Sequence, residues 1–197
     1  MSQFGSKYWP LIILGLITLG ERTLLDLGPN REILTASSLL VVYYWGRKTS
    51  ITFTMLMLIL SDLVIGNSSI FLFTWSGFLF PLLIANKLLK NKKFDRVPLM
   101  FKAALTGIGF NLFFFTWTNF GVWWLDHWQM YPNTLAGLGM AYVNGLPFLR
   151  WQLQSTLIFV TVWFGITQLL ISQQELLKQV GLNIQAKTKN LVKLVQI

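Results

Sequence analysis

Cysteine is absent from the 197 residues, which excludes disulfides and thiolate metal sites and leaves the redox compartment unread. Charge is scarce: Asp, Glu, Lys and Arg make up 12% of the chain, and only 7 residues are acidic. Histidine occurs once, at His127, so a multi-histidine metal centre cannot be assembled. Chemistry-bearing motifs are missing as well. There is no G-x-x-x-x-G-K-[ST] phosphate loop, no H-E-x-x-H metal helix and no G-x-S-x-G elbow. The chain is therefore not expected to be an enzyme: no catalytic residue, metal or cofactor is expected, and uphill movement of a solute would need another subunit or an ion gradient. An intramembrane enzyme built on Asp62 and Glu21 is the weakest of the readings considered.

What is present is apolar. The chain is 54% hydrophobic with a mean hydropathy of +0.56, too apolar for a soluble domain of this size. At about 1.5 Å rise per residue a bilayer core of roughly 30 Å takes about 20 residues per helical span. The expected fold is all-α: an integral membrane bundle of about six transmembrane helices with a short broken helix before the last span. The spans read as residues 9–27, 33–46, 51–66, 70–89, 99–125 and 151–172. Pro10 suits the start of the first, and Pro81 is expected to kink the fourth. An apolar run behind Lys7 resembles a signal peptide, but no small-residue cleavage site precedes Glu21-Arg22, so it is taken as a span. Residues 134–149, broken by Gly137, Gly139, Gly145 and Pro147, read as a seventh short span or a re-entrant element. The bundle is placed at 1–172, and 173–197 reads as a basic cytoplasmic or interfacial tail.

The net charge of +9 points to the lipid bilayer as partner rather than nucleic acid, because the lysines collect in loops and the tail. With six spans and both termini cytoplasmic, only Arg22, Arg31 and Arg150 of the 16 basic residues fall on the far side. A seventh span would throw the tail lysines outward, against the positive-inside bias. The expected location is the cell membrane, as a multi-pass protein. The densest basic run, residues 87–96, reads as a solvated loop beside anionic headgroups or as a docking surface for a partner.

The unusual polar groups fall on the opposite side. Residues 111–134 run from unbroken apolar helix through Trp117, Trp123 and Trp124 to Asp126, His127 and a Tyr131-Pro132-Asn133 turn, a gradient that reads as a span leaving lipid through an aromatic belt. Asn111, Thr118 and Asn119 lie below the belt and need partners from the protein. Glu21 and Arg22 sit about 18 Å along the first span, where charges either pair locally, Arg22 with Asp26 four residues on, or line a cavity. Asp62 either caps a helix, pairs with Arg22 or Arg31, or joins that cavity. Aromatic walls with a few polar anchors suit a pocket for a small ring-containing or zwitterionic solute. The candidate ligand-binding residues on this reading are Arg22, Asp62, Asn119, Tyr131 and Asn144, with Trp75 and Trp123 as walls.

Several stretches in one order carry a resemblance: Arg22 ahead of Gly28-Pro29-Asn30, Leu60-Ser61-Asp62-Leu63 with Gly66, Thr118-Asn119-Phe120-Gly121-Val122-Trp123, and Tyr131-Pro132 through Gly145-Leu146-Pro147-Phe148. From Arg22 to about Gly165 the chain resembles a family of small bacterial multi-span membrane proteins of unknown function. More distantly it is similar to the substrate-binding S components of energy-coupling-factor vitamin transporters. That resemblance implies a bacterial inner-membrane subunit that binds a vitamin or its precursor in an outward pocket and works with a transmembrane coupling subunit and two ATPases. Carried over by position, it implies Arg22, Asn30, Asp62, Asn119 and Tyr131 as pocket residues. One departure is on the first span, where Gly15 is followed by Leu19 rather than by a small residue. The competing reading is a non-catalytic membrane scaffold or assembly protein that recruits partners through its basic loop and tail.

Overall fold

The computed structural model describes residues 3–25, 27, 28, 30–125 and 129–195. Among these residues the chain forms α1 (Gln3–Leu24), α2 (Leu34–Trp45), α3 (Arg47–Ile65), α4 (Phe71–Leu89), a 3-10 turn (Lys92–Phe94), α5 (Leu99–Leu125) and α6 (Leu135–Val195), with no strand. Among the described residues four stretches are long and apolar enough to cross a membrane: α3, α4, α5 and Leu135–Leu182 of α6. The protein is therefore an all-α membrane protein, as the hydropathy demands. Two compact units divide it, Met1–Trp163 and Phe164–Ile197.

The centre of the first unit is its shortest long element. Helix α2 has 12 residues, too few for a bilayer core, and its positions 34–42 are all buried. A helix with no charged residue and only small hydroxyls among its apolar side chains has no side to give to solvent, so it is enclosed by neighbours, here α3, α4 and α5. Small hydroxyls seat it. Thr18 of α1 shares a 2.8 Å hydrogen bond with Ser37, Ser38 shares one of 2.6 Å with Thr54, and the Ser50 hydroxyl donates to the Ser38 carbonyl at 2.8 Å. In an apolar setting such contacts join helices because the alternative is an unsatisfied polar group. A single residue, Gly46, turns α2 into α3, and its φ of 88° is one that a side chain would resist.

Two expectations change. Helix α1 stops at Leu24, which puts Arg22 in the last turn with Glu21 beside it, so these charges sit at a helix end rather than part-way through a span. Residues 134–149 do not form a broken element before a separate last span: α6 runs without interruption from Leu135 through Pro147 for 61 residues. The glycines there do not break the helix, and two of them, Gly137 and Gly145, allow close packing. A side chain at Gly137 would collide with the Pro132 carbonyl, and one at Gly145 with Asn119 and Phe115. Pro147 removes one backbone donor, which a helix in lipid tolerates where neighbours compensate.

Asn111 ties α5 to α6. It is fully buried, and its side-chain amide donates to the Gln152 carbonyl at 3.1 Å and to the Thr156 hydroxyl at 2.9 Å. Asn111→Ala removes both bonds and is expected to cost about 1–3 kcal/mol. The loss would be read as a lowered melting temperature in detergent; an unchanged melt would show that this link does not hold the bundle.

Candidate functional site

Two cavities meet between α1, α4, α5 and α6. The first, about 490 Å³, lies under the α1–α2 connection and is lined by Glu21, Arg22, Asn30, Arg31, Glu32, Thr74, Phe78, Phe114 and Gln152 among others. The second, about 470 Å³, is lined by Asn30, Thr74, Phe114, Thr118, Asn119, Tyr131, Asn144, Gly145 and Phe148 among others. Asn30, Thr74 and Phe114 border both, so the two adjoin as lobes, one charged and one built of amides and rings. Both sit in the size range of small-molecule pockets.

The charged lobe is built around the start of α2. Its first backbone N–H groups have no helical partner and attract carboxylates. Glu21 accepts the Ile33 N–H at 3.2 Å and Glu32 accepts the Thr35 N–H at 2.8 Å. Both acids are therefore structural first, and both are buried. Burial pushes the Glu32 carboxyl above its ordinary value, while the bonds from Thr35 pull it down. Arg22 is held from behind. Its Nε donates to the Ser61 hydroxyl at 3.0 Å and its Nη2 lies 3.7 Å from Asp62 Oδ1. Trp75 donates from Nε1 to the other Asp62 oxygen at 2.7 Å. The chain Arg22–Asp62–Trp75 thus joins α1, α3 and α4 and presents a braced guanidinium to the cavity. Arg31 lies over the Trp151 ring, 4.0 Å from its centroid, a cation–π contact at the rim.

The amide lobe is built on α5 and α6. Thr118 and Asn119 each bond a carbonyl one turn back, Phe114 and Phe115, both at 2.8 Å. That supplies the protein partners expected below the belt and leaves the Asn119 carbonyl oxygen facing Gly145. Asn144 donates to the Tyr131 hydroxyl at 3.3 Å, which leaves that hydroxyl free to donate in turn.

Of the residues singled out from sequence, Arg22 and Asn30 line the charged lobe, and Asn30, Asn119, Tyr131 and Asn144 line the amide lobe. Asp62 and Trp75 line neither; they brace Arg22. Trp123 also lines neither, and its Nε1 donates to the Pro132 carbonyl at 3.1 Å, fastening the turn before α6. Asp26, Pro29, Asp126 and His127 lie outside the described residues. Sequence reasoning missed Thr74, Phe78, Phe114 and Gln152. A signal existed for two of them: Phe114 precedes Thr118 by four residues on one helix face, and Gln152 is an amide inside an otherwise apolar run. Nothing distinguishes Thr74 or Phe78 from ordinary helix positions.

The sequence model of one protein family matches residues 2–180: DUF6580, a family of unknown function. The chain belongs to that family. No curated protein and no solved structure matches it.

Proposed function

We propose that this member of DUF6580 is a membrane-embedded solute-binding subunit, similar in plan to the S components of vitamin transporters, which holds a small molecule across the two adjoining lobes. The observation that carries this reading is the shared border at Asn30, Thr74 and Phe114, which joins a braced guanidinium to a ring-and-amide chamber. A solute with a charged or strongly polar end and a flat polar ring fits that division. The guanidinium offers charge-assisted hydrogen bonds, Phe114 and Phe148 offer faces for stacking, and the Asn119, Asn144 and Tyr131 groups offer both donors and acceptors. We further propose that the mouth faces outward and that uphill uptake relies on a transmembrane coupling subunit and two ATPases.

The test is thermal stabilisation of the purified protein against a panel of vitamins and their precursors. One solute is expected to raise the melting temperature saturably. Asn119→Ala and Asn144→Ala are each expected to weaken its binding by about 2–13-fold, the worth of one hydrogen bond to a neutral group. A panel without any saturable hit counts against the reading. The scaffold alternative is favoured instead if changing Lys90, Lys92 and Lys93 together abolishes function in cells while Asn119→Ala leaves it intact.

A further inference from the structure

A third cavity lies on the other side of α1, between α1 and α3, and has different chemistry. It is about 550 Å³, with Ile12 and Leu16 on one wall and Leu56 and Leu60 on the other. All four are exposed, at 61%, 65%, 48% and 40%. The floor is Gly15. A Cβ there would only reach ordinary contact with Phe53 and Met57, at 3.5 and 3.6 Å, so the missing side chain opens a trough. One end is basic. Lys48 lines the groove, is exposed, and follows exposed Arg47 at the first turn of α3. Lys48 has no carboxylate within ion-pair distance among the described residues.

We propose that this groove binds one anionic phospholipid, with an acyl chain in the trough and the phosphate at Lys48. Three features argue for lipid as the occupant. From Lys48 to Leu60 the groove runs 12 residues of α3, about 18 Å at helical rise, close to the roughly 15 Å depth of one leaflet of a 30 Å hydrocarbon core. Its walls are apolar except at the Lys48 end, the pattern of an acyl chain with one headgroup. An anion at that end also meets the positive charge of Lys48 and of its exposed neighbour Arg47. The opposite end stops at the Arg22–Asp62 pair, which is neutral and turned to other partners.

The experiment is native mass spectrometry of the full chain in mild nonionic detergent, titrated with phosphatidylglycerol or phosphatidylcholine of matched acyl chains. One phosphatidylglycerol per chain is expected, retained at least tenfold more strongly than phosphatidylcholine. Lys48→Glu should erase that preference, and Thr52→Trp, which fills the trough, should remove both lipids. Because Lys48→Glu alters an exposed side chain, it decides the matter even where Thr52→Trp fails to fold. Equal retention of the two lipids by the unaltered chain, or an unchanged preference in Lys48→Glu, would overturn the proposal. So would a photo-crosslinker at Leu56 that captures a protein helix in native membranes instead of lipid.

Discussion

Arg22→Ala is expected to destabilise the bundle by about 3 kcal/mol, because it strands a largely buried carboxylate. Arg22 and Asp62 are each only 13% exposed, and among the described residues Arg22 is the one cation paired with Asp62. Removing it leaves Asp62 with the Trp75 and Ser61 donors, which satisfy hydrogen-bonding capacity and do not neutralise charge. A double-mutant cycle with Asp62→Ala separates pairing from packing. If the pair is coupled, the double variant is more stable than the sum of the single losses implies, by about 1–3 kcal/mol. Unfolding in detergent measures this, and additivity within about 0.5 kcal/mol would show that the two side chains are neighbours without being partners. The same substitution removes the guanidinium from the charged lobe. Binding of the stabilising solute should fall by about 10–150-fold, the worth of a hydrogen bond to a charged group. Asp62→Asn keeps the shape and loses the charge, so it should weaken binding less than Arg22→Ala does. If the two weaken binding equally, Arg22 acts through the pair and does not itself touch solute.

Gly145→Val is expected to close the amide lobe. A Cβ at Gly145 would lie 2.5 Å from the Asn119 carbonyl oxygen and 2.8 Å from the Phe115 ring, too close for either to stay in place. Asn119 must swing away and give up its bond to the Phe115 carbonyl, and the two valine methyls then enter the lobe. Overpacking of this kind costs about 1–3 kcal/mol, while solute binding should fall beyond detection. The control is Gly145→Ala combined with Asn119→Ala. It removes the atom that the new Cβ meets first, so the fold should recover while binding stays weak. A Gly145→Val protein that binds at full affinity would place the solute elsewhere.

Legibility followed the range of the forces involved. The apolar bias and its helical lengths were plain, and α5 begins and ends where its apolar run does, Leu99–Leu125. The end of α1 was misjudged by three residues, because apolar residues at Leu24, Leu25 and Leu27 continue past the point where the helix gives way. The Gly-Pro run at 137–147 was misjudged because glycine signals both a break and a close approach, and only the neighbour decides which. Among the site residues, the suspicious polar side chains were visible as anomalies in apolar surroundings, but their roles were not. Arg22, Asp62 and Trp75 looked alike as lining candidates, and the geometry makes the last two a brace for the first.

By itself the sequence determined what the medium imposes on each segment separately. Backbone groups in lipid must pair within a helix, so composition and run length were enough to specify an all-α membrane protein. Only the tertiary structure decided which side chains meet across 39 residues of chain, as Arg22 and Ser61 do, and which of them face a cavity. Those choices depend on how helices rotate against one another around buried α2, a property of packed surfaces that no single stretch of residues contains.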